Sequence, residues 1–347
     1  MRIPALVATI LILTTGCDKL SQSPQWQNIE MGYLNFIDKV SGAADANKPP
    51  PPRLTSLEGK PPVLFQVFGK RSDPRVVPFA VIETGRLRPI TLAGRGWREF
   101  DRVYGTPGDS LALYQDGRRV GTATVRRGMW PAGDTALYKL PGCKVALPQA
   151  AVDLSGDIAG KTTVELFASN AALGRSPEPV GLSADEVEHT ARNIALLIAS
   201  KLAISPRTLD SLDFRAIAAP TGVPGRPTLV INYLDPAAAD TAKNRTARQV
   251  FVLADQGEFG YGPTYWHYQR GLNPNPQFRR YVDHLDLNGD GVDEIILEAW
   301  YALRPGSFYV VLSKEGAMWR ERYRTDPDWC RDAQIAQIAA ADSANKK

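Results

Sequence analysis

Short apolar runs separated by turn residues recur along most of the chain. Between residues 62 and 172 they fall at Val63 to Phe68, Val76 to Ile82, Leu87 to Leu92, Leu111 to Tyr114, Val120 to Val125, Ala136 to Leu140, Val145 to Leu147 and Thr163 to Phe167. Runs of this length, bounded by Gly, Pro and Asp, predict strands. The clearest pair is Leu111 to Gln115 and Arg118 to Val125, joined by Asp116-Gly117. That dipeptide predicts a tight hairpin, because both central residues of such a turn take positive φ. The pattern predicts an all-β domain over 62–172, a small barrel or a sandwich.

Residues 170–182 contain Gly174, Pro177, Pro179 and Gly181, which mark a boundary. Ser183-Ala184-Asp185-Glu186 has the form of a capping box opening a helix. Val187, Ala191, Ile194, Ile198 and Leu202 then make one apolar stripe, with His189 off it. Strand-like runs follow at Phe214 to Ala218, Thr228 to Leu234, Gln249 to Leu253, Phe278 to Leu285, Ile295 to Tyr301, Phe308 to Leu312 and Trp319 to Tyr323. Short connections predict antiparallel pairing, hence an α+β domain over 183–330 with one helix packed on a sheet. Strict alternation places Trp319, Glu321 and Tyr323 on one face of the last strand and Arg320, Arg322 and Arg324 on the other, as a charged edge. Residues 331–347 read as a tail with a fraying helix. The fold expected is therefore mainly β with antiparallel sheets.

The first residues have another pattern. Met1-Arg2 precedes an apolar run from Ile3 to Leu13, which ends at Thr14-Thr15-Gly16-Cys17. One positive charge and a short apolar stretch have the form of a secretory signal, too short for a mature membrane span. The end of this segment resembles the lipobox of bacterial lipoproteins, whose processing enzymes need small residues before the cysteine. Gly16 and Thr15 fit, while Thr14 stands where that family usually has Leu. The resemblance implies cleavage after residue 16, a diacylglyceryl thioether at Cys17 and acylation of the new terminus. Several acyl chains suffice for stable anchoring. It also implies a protein facing the periplasm, and Asp18 directly after Cys17 goes, in enteric members, with the inner membrane. Residues 17–61 read as anchor, short helix and tether. Trp26, Ile29, Tyr33, Ile37 and Val40 recur at helical spacing, and Pro49 to Pro52 make a stiff extended stretch.

Charge and cysteines narrow the picture. A net charge of +4 over 347 residues is too weak to argue for nucleic-acid binding. Cys143 and Cys330 remain after processing. In an exported chain they either form one long-range disulfide or stay as two thiols.

One stretch carries candidate chemistry: Asp286-Leu287-Asn288-Gly289-Asp290-Gly291-Val292-Asp293-Glu294. Alternate residues of a tight loop can turn oxygens toward one centre, as a hard cation such as calcium requires. Asp286, Asn288, Asp290 and Glu294 supply side-chain oxygens, and Val292 a backbone carbonyl. An EF-hand would need a carboxylate at the twelfth place, where Leu297 stands, and helices instead of strand-like flanks. The stretch resembles the strand-flanked calcium loop of FG-GAP repeat proteins, present here as one copy. That resemblance implies a structural Ca2+ pinning a turn between two strands. The alternative is a hairpin whose Asp and Asn side chains cap backbone amides without an ion.

The sequence contains three histidines, His189, His267 and His284, and no nucleophile elbow, zinc-protease helix or phosphate loop. Three functional expectations follow. The first is a non-catalytic, lipid-anchored envelope protein that binds a protein or cell-wall partner and carries a structural calcium. The second is an envelope glycan hydrolase using two of Asp283, Asp293 and Glu298, with the aromatic segment Tyr265 to Tyr268 lining a groove. The third is a purely architectural or assembly-accessory lipoprotein.

Overall fold

The computed structural model describes residues 60–325, apart from residues 91, 93, 130–136, 140–145, 160–161, 175–180, 224–225, 240–245, 271–275 and 302–306. The expected signal segment, Cys17, the tether, Cys143, Cys330 and the tail lie outside the described residues. The chain is mainly β, with antiparallel sheets and a few helices. Its first strands are β1 (Val63–Lys70), β2 (Asp73–Glu83) and β3 (Arg86–Arg88). Helix α1 (Gly94–Tyr104) is followed by β4 (Ser110–Gln115), β5 (Arg118–Arg127), β6 (Leu137–Lys139), β7 (Ala146–Pro148), β8 (Ala150–Gly156) and β9 (Thr163–Ser169).

Six of these strands close a barrel in the order β1-β9-β4-β5-β8-β2, with β1 pairing β2 to complete the ring and β3 extending from β2. Closure leaves those six without a free edge. Alternation sorts their side chains. Val63, Phe65, Val67, Leu111, Leu113, Leu166 and Ala168 point into one cluster, while Leu64, Tyr114 and Phe167 belong to another outside the barrel. Helix α1 adds Trp97, Phe100 and Tyr104 to the barrel core, with the Phe100 ring 6.2 Å from that of Phe65. Those residues recur at i, i+3 and i+7, which is a helical spacing. Gly94 and Gly96 hide it from a pattern search.

The second half is layered. Helix α2 (Ala184–Lys201) starts in the expected capping box: the Glu186 amide donates to Ser183 Oγ and the Ser183 amide donates to Glu186 Oε2. After the short α3 (Pro206–Asp210), a four-stranded sheet runs β10 (Asp213–Ala219), β11 (Thr228–Leu234), β12 (Gln249–Gly257) and β13 (Gly260–Gln269). Val187, Ala191, Ile194 and Ile198 of α2 pack on Leu229, Ile231, Val250 and Val252 of this sheet. Each buried Val, Leu or Ile side chain of this contact contributes roughly 1.5–3 kcal/mol.

A second four-stranded sheet follows: β14 (Gln277–Leu285), β15 (Glu294–Tyr301), β16 (Ser307–Glu315) and β17 (Met318–Arg324). It is covered on both faces. Leu285, Ile296, Tyr309 and Val311 meet the outer barrel residues Leu64, Phe79 and Phe167. Ile295, Leu297, Val310 and Leu312 meet Val230, Phe251 and Leu253 of the other sheet. Burial on both sides explains why β15 and β16 read as continuous apolar runs at Ile295 to Leu297 and Phe308 to Leu312. The barrel and the layered region therefore share a core within one compact unit.

Strand β17 departs from simple alternation. A bulge between Val311 and Leu312 in its pairing with β16 shifts the register by one. Trp319 consequently packs with Leu312 and Phe251, whereas Tyr323 packs with Phe79 and Tyr309 on the opposite face. One extra residue in a strand flips every side chain beyond it. The arginines do not form a uniform edge either: Arg322 pairs with Glu315, and Arg324 Nε donates to Glu321 Oε1.

Candidate functional site: the acidic loop

The acidic stretch joins β14 to β15, flanked by strands as expected. Gly289 and Gly291 take φ of +78° and +87°, so the backbone doubles back twice within three residues. The side chains then close the loop from inside. Asp286 Oδ1 accepts from the Gly289 amide at 2.6 Å and Oδ2 from the Gly291 amide at 3.1 Å. Asn288 Oδ1 accepts from the Asp290 amide and Asp290 Oδ1 from the Val292 amide, both at 2.8 Å. Glu294 Oε2 accepts from the Leu287 amide at 2.8 Å. The Asn288 amide group donates to Asp290 Oδ2 at 3.0 Å and to Glu294 Oε1 at 2.7 Å. Asp286, Asn288, Asp290 and Glu294 are thus linked by hydrogen bonds around one turn, with Val292 on its returning arm.

Among the described residues no three His, Cys, Asp or Glu side chains stand in a preformed metal-holding arrangement. The donor set nevertheless fits a hard cation. Three carboxylates and an amide oxygen are spaced along the turn. The Asp286 and Asp290 oxygens each keep a second lone pair beyond the amide they accept from, while Glu294 also accepts from the Ser313 hydroxyl. The Asn288 amide hydrogens bridge Asp290 and Glu294.

Behind the loop lies a second acidic layer. Asp283, Asp286, Asp293 and Glu294 are all buried, as is His284. Burial, with the neighbouring Asp286 and Glu294 carboxylates, pushes Asp293 up to about 8. Burial pushes Glu294 up to about 7 against the opposing Leu287 amide. Asp283 rises to about 7 for the same reason, although the His284 and Gly117 amides donate to it. Burial drives His284 down to about 4. The His284 ring bonds Tyr281 OH through Nδ1, and its Nε2 stands 3.7 Å from Asp293 Oδ2. That separation is too long for a hydrogen bond, and both atoms lack a partner.

The barrel closes this layer. Asp116 and Gly117, between β4 and β5, adopt φ of +51° and +71°, the hairpin the sequence predicts. Gly117 lies directly on the pair: a Cβ there would stand 2.5 Å from His284 Nε2 and 2.8 Å from Asp293 Oδ2. Two of the three carboxylates considered for glycan hydrolysis, Asp283 and Asp293, are therefore covered, each 3% exposed. The third, Glu298, is engaged by Arg280 and Ser307. His267 Nε2 bonds Gln277 O at 2.8 Å, joining β13 to β14, and Tyr265 packs into the intersheet core while Trp266 is 45% exposed. Sequence reasoning named Asp283, Asp293 and His284 but not their union under Asp116-Gly117, which depends on a contact spanning 166 residues.

No protein-family model matches the chain, and neither a curated protein nor a solved structure matches it at a significant level.

Proposed function

We propose that this chain is a lipid-anchored envelope protein whose folded body is a non-catalytic binding module, clasped by a structural calcium ion at residues 286–294. The observation that carries the reading is the joining of Asp286, Asn288, Asp290 and Glu294 around one turn whose ends, Asp286 and Glu294, are buried where the barrel meets the second sheet and whose tip, Asn288 to Gly291, is exposed. A cation there offsets the charge of Glu294, whose carboxyl burial otherwise pushes toward the protonated state. The sequence supports export and anchoring through the short apolar run ending at Cys17. Among the described residues no helix is long and apolar enough to cross a membrane. Attachment in this reading is through acylation of Cys17. The partner is an envelope protein or a cell-wall glycan. A glycan hydrolase is less well supported, because Asp283 and Asp293 are shielded from any substrate and Glu298 is engaged in an ion pair.

Isothermal titration with CaCl2 tests the clasp. The wild-type chain should bind calcium and Asp290→Ala should not. Absence of binding by a folded wild type overturns the reading.

A further inference from the structure

The end of β14 and β15 away from the acidic loop holds a second polar cluster. Gln277 and Arg279 are two residues apart on β14 and so share a face. Tyr301 and Ala299 of β15 stand opposite them, on the side packed against the first four-stranded sheet. Two glutamines hold the backbone here. The Arg279 amide donates to Gln249 Oε1 at 2.8 Å, and the Gln277 amide donates to Gln269 Oε1 at 3.1 Å.

Arg279 is 5% exposed, and both terminal nitrogens of its guanidinium are engaged. Nη1 donates to Tyr265 OH, and Nη2 pairs with Glu321 Oε2 at 3.5 Å. Its Nε has no partner, nor has the side-chain nitrogen of Gln277, and both atoms are buried. Burial pulls Arg279 down to about 10, against the opposing effect of Glu321. A buried N–H donor without an acceptor has lost its hydration and gained nothing in exchange. Tyr301, opposite Gln277, stacks on Phe308 at 5.2 Å, and the Arg324 guanidinium lies 5.3 Å from the Phe308 ring. The Arg324 and Glu321 side chains are 27% and 28% exposed, so the cluster reaches the surface.

The open donors select the ligand. One guanidinium N–H and one amide N–H match the two oxygens of a carboxylate. A phosphate would bring more oxygens than there are open donors, beside a Glu321 carboxylate that Arg324 and Arg279 keep ionised. We propose that Arg279 and Gln277 form a carboxylate-binding site. Arg279 Nε and the Gln277 amide each donate to one carboxylate oxygen, Tyr265 and Glu321 hold the guanidinium in place, and the Tyr301–Phe308 stack carries the apolar part of the ligand. The site is separate from the acidic loop and does not depend on calcium. The carboxylate belongs to a small organic acid or to an acidic peptide.

Heteronuclear NMR of the full chain, read at the Arg279 Nε–H and the Gln277 side-chain amide, tests the site. Sodium acetate should shift both signals saturably, and sodium chloride at equal ionic strength should not. A Glu-rich peptide that binds more tightly than acetate, with its Gln counterpart inert, assigns the site to a peptide partner; a peptide no tighter than acetate assigns it to small acids. Gln277→Leu keeps Arg279 and should weaken acetate binding about tenfold. Arg279→Lys, which lacks the Nε–H, should abolish it; should that variant not fold, the wild type and Gln277→Leu decide. No shift with acetate or peptide, an equal shift with chloride, or unchanged affinity in Gln277→Leu would overturn the site and leave these donors to water.

Discussion

The amide of Gly117 donates to Asp283 Oδ1 at 3.2 Å, across 166 residues of chain. This bond ties a barrel hairpin to the strand that leads into the acidic loop. Positive φ makes the hairpin possible, and a missing side chain lets it approach His284 and Asp293. Gly117→Ala should therefore destabilise by about 2–4 kcal/mol, combining left-handed strain with a clash on buried groups. Gly316→Ala is the control: its φ is +56° and nothing lies within 4 Å of an added Cβ. It should cost only about 1 kcal/mol. Equal urea midpoints for the two variants would show that the close approach carries no energy.

The buried carboxylates make stability fall as pH rises in the absence of divalent cations. Asp283, Asp293 and Glu294 have folded values of about 7, 8 and 7, all above their ordinary range. The folded state then holds protons the unfolded state has released, so stability declines as pH rises toward those values. His284, lowered to about 4, acts in the opposite sense only up to its ordinary value of 6.5. Between about pH 6.5 and 8 the carboxylates act alone, and the melting temperature in chelator should drop. Asp293→Asn should flatten that drop. A melting temperature that rises over this interval in chelator would refute the assignment.

Asp255 joins four strands. Its carboxylate accepts from Thr228 Oγ1 at 2.6 Å, Thr264 Oγ1 at 2.8 Å and Trp319 Nε1 at 3.0 Å, and Lys314 Nζ pairs with it. Asp255→Ala would remove the carboxylate that pairs with Lys314 and the acceptor of buried Trp319 Nε1, leaving Thr264 its bond to Leu253 O and Lys314 its bond to Ala317 O. The expected loss is about 3–5 kcal/mol by urea denaturation. A loss under about 1 kcal/mol would mean that these donors find other partners.

Export is tested at the other end of the chain. Cys17→Ser should move the protein from the membrane fraction to the soluble fraction and remove the mass of the acyl chains. Retention of the variant in membranes would exclude Cys17 as the anchor.

The sequence made some of this legible, for reasons particular residues show. Asp116-Gly117 and Ser183 to Glu186 are local signals whose energetics lie within a few residues, and both appear as expected. The mainly β antiparallel character followed from run length and turn spacing. The packing of β14 to β17 between two partners was not legible, because apolar runs such as Ile295 to Leu297 do not say what covers each face. Trp319 and Tyr323 were assigned to one face, since a bulge in pairing with β16 leaves no mark in the sequence of β17. In the acidic loop, the turn and its oxygens were legible from Asp, Asn and Gly spacing. The close approach of Gly85, Gly174 and Gly222 to this loop was not: a glycine needed for close approach looks the same in sequence as one needed for a turn.

Thermal unfolding with and without calcium tests the central claim most directly. Added CaCl2 should raise the melting temperature of the wild type, more at pH 8 than at pH 6 because binding requires ionised carboxylates. Asp290→Ala should abolish the increase. A wild-type melting temperature that does not respond to calcium at either pH would contradict the account.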